Sequence, residues 1–148
     1  YAAKFMVKEA NPDDDYVVMP LQGLWWADDM QTFADLNKDE WKWTMMIVQP
    51  EVVTPEILEA AVEQTREKKP EAPVDELRFE EYDEGLSVQL MHIGPYSEEG
   101  PTIERLHSFM QKEGYTFAGK HHEIYIGDPN RAKPENLKTI IRQPVKRI

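Results

Sequence analysis

Apolar residues recur at spacings of three and four through "GPTIERLHSFMQKEG". Ile103, Leu106 and Met110 form a stripe there and Phe109 widens it, which predicts an amphipathic helix. Pro101 suits its first turn and Gly114 its C-terminal cap. The same periodicity predicts a helix over "TPEILEAAVEQTREKK". Thr54 is its N-cap, Pro55 its first residue, and Ile57, Leu58, Ala61 and Val62 its buried face; Lys68 and Lys69 sit at the negative end of its dipole, and Pro70 ends it. "YAAKFMVKEA" reads as the second half of another helix, so an N-terminal truncation is expected. Period-two or continuous apolar runs bounded by turn residues predict strands over "YVVMPLQGLWWA", "WKWTMMIV", "LRFEEY", "LSVQLMHI", "TFAGKHHEIYI" and "TIIRQPV". In "EEYDEGLSV", Asp83 to Gly85 offer a hairpin turn.

An internal repeat organises these elements. "FMVKEA" at 5–10 matches "FMQKEG" at 109–114, and each helix is followed by a strand, then by "WTMMIVQP" or "KTIIRQP". A rival register, "IVQPEVVTPE" on "IGDPNRAKPE", leaves the helix match unassigned. The preferred register equates Leu24 with Glu123 and Trp26 with Tyr125. The expected fold class is α+β, two pseudo-symmetric strand-helix-strand-strand modules whose antiparallel sheet carries helices on one face. On this repeat the first module is expected to lack its opening strand. One domain is expected over residues 1–148, with 1–75 as the partial first module and linking helix and 76–148 as the second module.

Composition narrows the partners. The chain has 148 residues, 41% of them hydrophobic, enough for one real core. Seventeen basic against 28 acidic side chains give a net charge of -11, which repels phosphate backbones and anionic lipid, so neither nucleic acid nor membrane is an expected partner. No apolar run approaches the roughly 20 residues that span a bilayer. The absence of cysteine removes disulfides and thiolate chemistry and points to a reducing cytoplasm. Oligomeric state is left open.

All four tryptophans fall between Trp25 and Trp43. Such pairs on strands are commonly packed core, but the clustering favours the wall of a site. Strand alternation puts His121, Glu123 and Tyr125 on one face and His122, Ile124 and Ile126 on the other. The repeat adds Trp26 to the face of Tyr125 and turns Trp25 toward the helices. Trp41 and Trp43 share a face at a separation of about 7 Å, which suits a flat ring between them. Neighbouring His121 and His122 diverge and no third ligand is suitably spaced, so no metal is expected. No phosphate loop or nucleophile elbow is present, and no cofactor is expected.

"MHIGPYSEE", "GKHHEIYIGDPNRAKPENLKTIIRQPV", "GLWWADD" and "WKWTMMI" together resemble the GyrI-like small-molecule-binding family, in its stand-alone bacterial branch. The resemblance implies two pseudo-symmetric modules with a ligand cleft between them. It also implies that Glu123 matches a buried glutamate that meets cationic, aromatic drugs in multidrug regulators. A subfamily that this chain resembles hydrolyses the spiro-cyclopropane of DNA-alkylating compounds in an aromatic cage. For that chemistry Glu123 is the expected base or water-orienter. Trp26, Trp41, Trp43 and Tyr125 would grip a planar body, and Tyr125, Tyr96 or His92 would donate to the developing oxyanion. The alternative is a non-catalytic module that sequesters flat or cationic drugs.

Overall fold

Three amphipathic stripes become three helices in the computed structural model, which describes residues 1–28 and 40–148. The chain divides into two compact units, Tyr1–Met19 with Ile47–Tyr82, and Pro20–Met46 with Asp83–Ile148. In the first, α1 (Ala2–Ala10) packs Ala3 and Val7 against Val53 and against Ala61 of α2 (Pro55–Lys68). Thr54 caps α2 as its sequence implies: its hydroxyl accepts from the Ile57 amide at 3.4 Å, and Pro55 follows at a position whose amide needs no partner.

The second unit holds strands β1 (Gln22–Trp26), β2 (Lys42–Met46), β3 (Ser87–Ile93), β4 (Tyr115–Phe117), β5 (His121–Tyr125) and β6 (Lys138–Arg147), with α3 (Gly100–Lys112). The strands run in the order β2-β1-β5-β6-β3, and β4 pairs the far end of β6; every pairing is antiparallel. The fold class is α+β, as the periodicities imply. Helix α3 buries Leu106 and Met110 against Ile141 and Val145 of β6, with Val88 and Leu90 of β3 beside them. Phe109 does not widen this stripe. At about 100° per residue it falls roughly 60° beyond Leu106, and it is 53% exposed. Gly114 follows α3 at φ 76°, the left-handed geometry expected at a helix end.

Some expected strands shrink. Residues 16–20 and 77–82 carry no strand, and "TFAGKHHEIYI" is broken at 118–120 into β4 and β5. The turn at 83–85 does form, with Gly85 at φ 71° donating its amide to Asp83 Oδ1. Its first arm has no ladder. β-propensity without a neighbouring strand to pair with is a weak determinant. No described helix is long and apolar enough to cross a membrane.

The register corrects the repeat. Gly23 lies opposite Glu123 and Trp25 opposite His121, so odd-numbered residues of β1 and β5 share one face of the sheet. A two-fold relation between the two strands must keep each residue on its face, so the offset between equivalent positions is even. The offset from Trp26 to Tyr125 is odd. A one-residue slip moves every side chain to the other face, and that slip is the error in equating Trp26 with Tyr125.

Candidate functional site

Alternation along β5 gives Glu123 its neighbours. Opposite Glu123 are Gly23 of β1 and Ile141 of β6, and Ile141 packs against α3; the carboxylate therefore lies on the helix-bearing face. It is 8% exposed and held at both oxygens. His121 Nε2 donates to Oε1 at 2.9 Å and the Tyr125 hydroxyl donates to Oε2 at 2.8 Å. Trp25 Nε1 in turn donates to the Tyr125 oxygen at 3.0 Å. Trp25, Tyr125, Glu123 and His121 thus form one hydrogen-bonded row across two strands.

Aromatic rings extend the row. Trp41 meets Trp25 edge-on, with centroids 6.1 Å apart, and Tyr96 meets Tyr125 edge-on at 5.8 Å. Such tilted pairs are the favoured geometry for ring quadrupoles. Burial pushes the Tyr125 phenol well above its ordinary range, and the charge of Glu123 and the bond to it push the same way against a smaller opposing effect of Trp25. The Tyr96 phenol is likewise raised, by burial and then by the charges of Glu99, Glu123 and Asp128. Both therefore stay protonated donors at neutral pH. Glu99, itself buried, adds a second carboxylate to the field. The arrangement presents π-faces and negative charge, the two features that attract a planar cation.

Of the residues expected from sequence, the structure brings together Glu123, Tyr125, Tyr96 and Trp41. Trp43 shares their face, opposite Trp25, but is 60% exposed. The ring of Trp41 meets that of Trp25. Trp26 lies on the other face, where Lys120 Nζ sits 3.5 Å from its ring centroid. Its assignment to the Glu123 side is overturned by the register. His92 is buried with both ring nitrogens engaged, Nδ1 with Thr102 Oγ1 at 3.0 Å and Nε2 with the Pro95 carbonyl at 3.1 Å. It fastens the segment that carries Tyr96 to the start of α3 and is not placed as a ligand donor.

From sequence, Trp25 turns toward the helices and His121 shares the face of Glu123, as the register has them, but neither is a candidate site residue there. His121 follows from alternation around Glu123; Trp25 follows only from the pairing register. His122 points to the opposite face, as alternation requires, where Nδ1 meets Glu84 Oε1 at 2.7 Å and Nε2 meets Gln22 Oε1 at 2.8 Å. Burial alone would raise the Glu84 carboxyl, but the bonds from His122 and Arg142 hold it below its ordinary range. Among the described residues no group of three or more His, Asp or Glu side chains could hold a metal ion. An apolar groove in the first unit is lined by Leu58, Val62, Leu77 and Phe79, with Glu59 and Asp75 at its wall, and Asp75 is paired with Arg66.

The profile of the GyrI-like small molecule binding domain matches residues 2–146. Among solved structures, an uncharacterised conserved protein from Listeria innocua is 42% identical and superposes with a TM-score of 0.85, over 99% of this chain and 76% of that one. A hydrolase from the same organism is 39% identical, TM-score 0.79, over 99% and 75% of the two chains. Another Listeria innocua structure described as a hydrolase is 40% identical, TM-score 0.82, over 99% and 76%. No curated protein matches significantly.

Proposed function

Because the chain belongs to the GyrI-like small-molecule-binding family, we propose that its ligands are planar aromatic molecules, cationic or hydrophobic. We propose further that it hydrolyses the cyclopropane ring of spiro-cyclopropyl dienones, the reactive group of cyclopropanoid DNA alkylators. Residues 1–148 act as one ligand-binding domain in this reading. The observation that carries it is the Glu123 carboxylate, buried and oriented by His121 and Tyr125 beside three aromatic rings. The hydrolase descriptions of the Listeria innocua structures support the catalytic part.

The reaction adds one water. A water oxygen bonds to a cyclopropane methylene as that carbon's bond to the spiro centre breaks, and the released electron pair aromatises the ring to a phenolate. The proton leaving the water goes to a base, and the phenolate oxygen takes a proton. Each oxygen of Glu123 accepts a hydrogen bond in the row, and a carboxylate oriented in this way can hold the water and take its proton. Tyr96, whose hydroxyl makes no hydrogen bond to another described residue, donates to the dienone oxygen. Tyr125 acts on Glu123 and not as a phenolate base. Trp25 and Trp41 supply the ring contacts.

One observation favours the alternative, a non-catalytic drug binder: the local carboxylates Glu99, Glu123 and Asp128 favour a bound cation over a developing oxyanion. Counting product decides. Incubating the protein with excess spiro-cyclopropyl cyclohexadienone should give the hydroxyethyl phenol in many equivalents per chain. Protection of at most one equivalent, with no ring-opened product, would establish the binder instead.

A further inference from the structure

Gly23 stands directly opposite Glu123 and has no side chain, in the middle of a strand where glycine costs stability. A Cβ placed there would lie 2.7 Å from Trp25 Nε1, 3.0 Å from the Tyr125 hydroxyl and 3.3 Å from Met45 Cε. The first two atoms are the donor and acceptor of the Trp25–Tyr125 hydrogen bond. At 2.7 Å the indole nitrogen would have to shift to admit a methyl group, and the indole shifts as one rigid plate. The Gly23 backbone takes up no left-handed conformation. What the position requires is space.

We propose that Gly23 is a positioning residue of this site: its missing Cβ lets the Trp25 indole N–H reach over β1 to the Tyr125 oxygen. That bond fixes the direction in which Tyr125 gives its proton. With the phenol oxygen accepting from Trp25, the hydroxyl hydrogen is aimed at Glu123 Oε2, and Glu123 is held by Tyr125 on one side and His121 on the other. Without the Trp25 bond, Tyr125 is free to rotate its hydroxyl toward a ligand, and Glu123 loses a fixed orientation. The function assigned to this geometry rests on the reading proposed above, but the hydrogen bond itself does not.

One experiment separates the two. Indole N–H resonances of 15N-labelled protein are recorded for wild type, Gly23→Ala, Trp25→Phe and the double variant; Trp25→Phe identifies the Trp25 signal. Gly23→Ala should move that signal upfield and speed its exchange with solvent. It should also lower kcat for dienone opening by about 100-fold, the scale of an ångström misplacement, with a smaller change in KM. In the Trp25→Phe background the added methyl meets no indole nitrogen, and the Tyr125 hydroxyl, released from Trp25, can move off its 3.0 Å contact, so Gly23→Ala should cost little further in activity or Tm. An unmoved Trp25 resonance overturns the proposal with no ligand involved. So does a moved resonance with unchanged kcat, or a double variant as impaired as the two single losses combined. If Gly23→Ala does not fold, a wild-type-like melt in the double variant supports the proposal, and a double variant that also fails to fold overturns it. If wild type shows no turnover, the hydrolytic reading fails by itself. The same four proteins are then compared by Kd for ethidium, where Gly23→Ala must weaken binding and the double variant must match Trp25→Phe.

Discussion

Trp25 and Trp26 are chemically identical neighbours, and the pleat alone decides their roles. Sequence alternation shows that they diverge but not which one joins Glu123; that depends on pairing with β5, a contact across about a hundred residues. Trp25→Phe should therefore weaken ligand binding and turnover, because it removes the donor that fixes Tyr125. Trp26→Phe should leave both near wild type, with a stability change of about 1 kcal/mol or less from the Lys120 contact. Parallel ligand titrations and thermal melts check this, and the reverse pattern would return Trp26 to the site. Tyr125 yields a pH prediction. Its folded pKa is raised above the ordinary value of 10.0, so its contribution to stability is complete below that pH and is lost as pH rises beyond it, when the unfolded phenol ionises and the folded one does not. Urea unfolding at increasing pH should show this alkaline loss in wild type and a shallower one in Tyr125→Phe.

At the scale of elements, the helices were legible because their signals are local. Thr54 and Pro55 start α2, and the row Ile103, Leu106 and Met110 faces one way whatever it packs against. Met110→Ala should cost about 2–5 kcal/mol in a urea melt, since Met110 is 1% exposed against Ile141 and Val145; a cost below about 1 kcal/mol would mean that α3 is not anchored there. Strand ends were less legible, because a strand exists only where a partner does. Val17 and Leu77 look like strand residues yet are 84% and 61% exposed with no ladder beside them. His92 illustrates the same limit. Its residue type suggested a ligand donor, while its place at the end of β3 makes it a fastener for the Tyr96 segment. His92→Leu should keep the fold and weaken planar-ligand binding through Tyr96, with hydrogen exchange at 94–99 accelerated.

At the scale of the whole chain, the repeat was visible in the order of elements but one residue out in the strand that matters. Glu123 was legible in the sequence, and the structure adds the row that holds it. The net charge of -11 gives a general, salt-screened attraction for cations, whereas a buried carboxylate gives a short-range one that salt weakens little. The two can be separated at Glu123. The direct measurement is calorimetric titration, at physiological salt, of a planar aromatic cation and its neutral isostere into wild type and Glu123→Gln. Glu123→Gln should lose at least about tenfold in affinity for the cation, roughly 1.4 kcal/mol, while the neutral compound binds both proteins alike. Equal cation affinities for wild type and Glu123→Gln would contradict the role given to this carboxylate and place the ligand elsewhere.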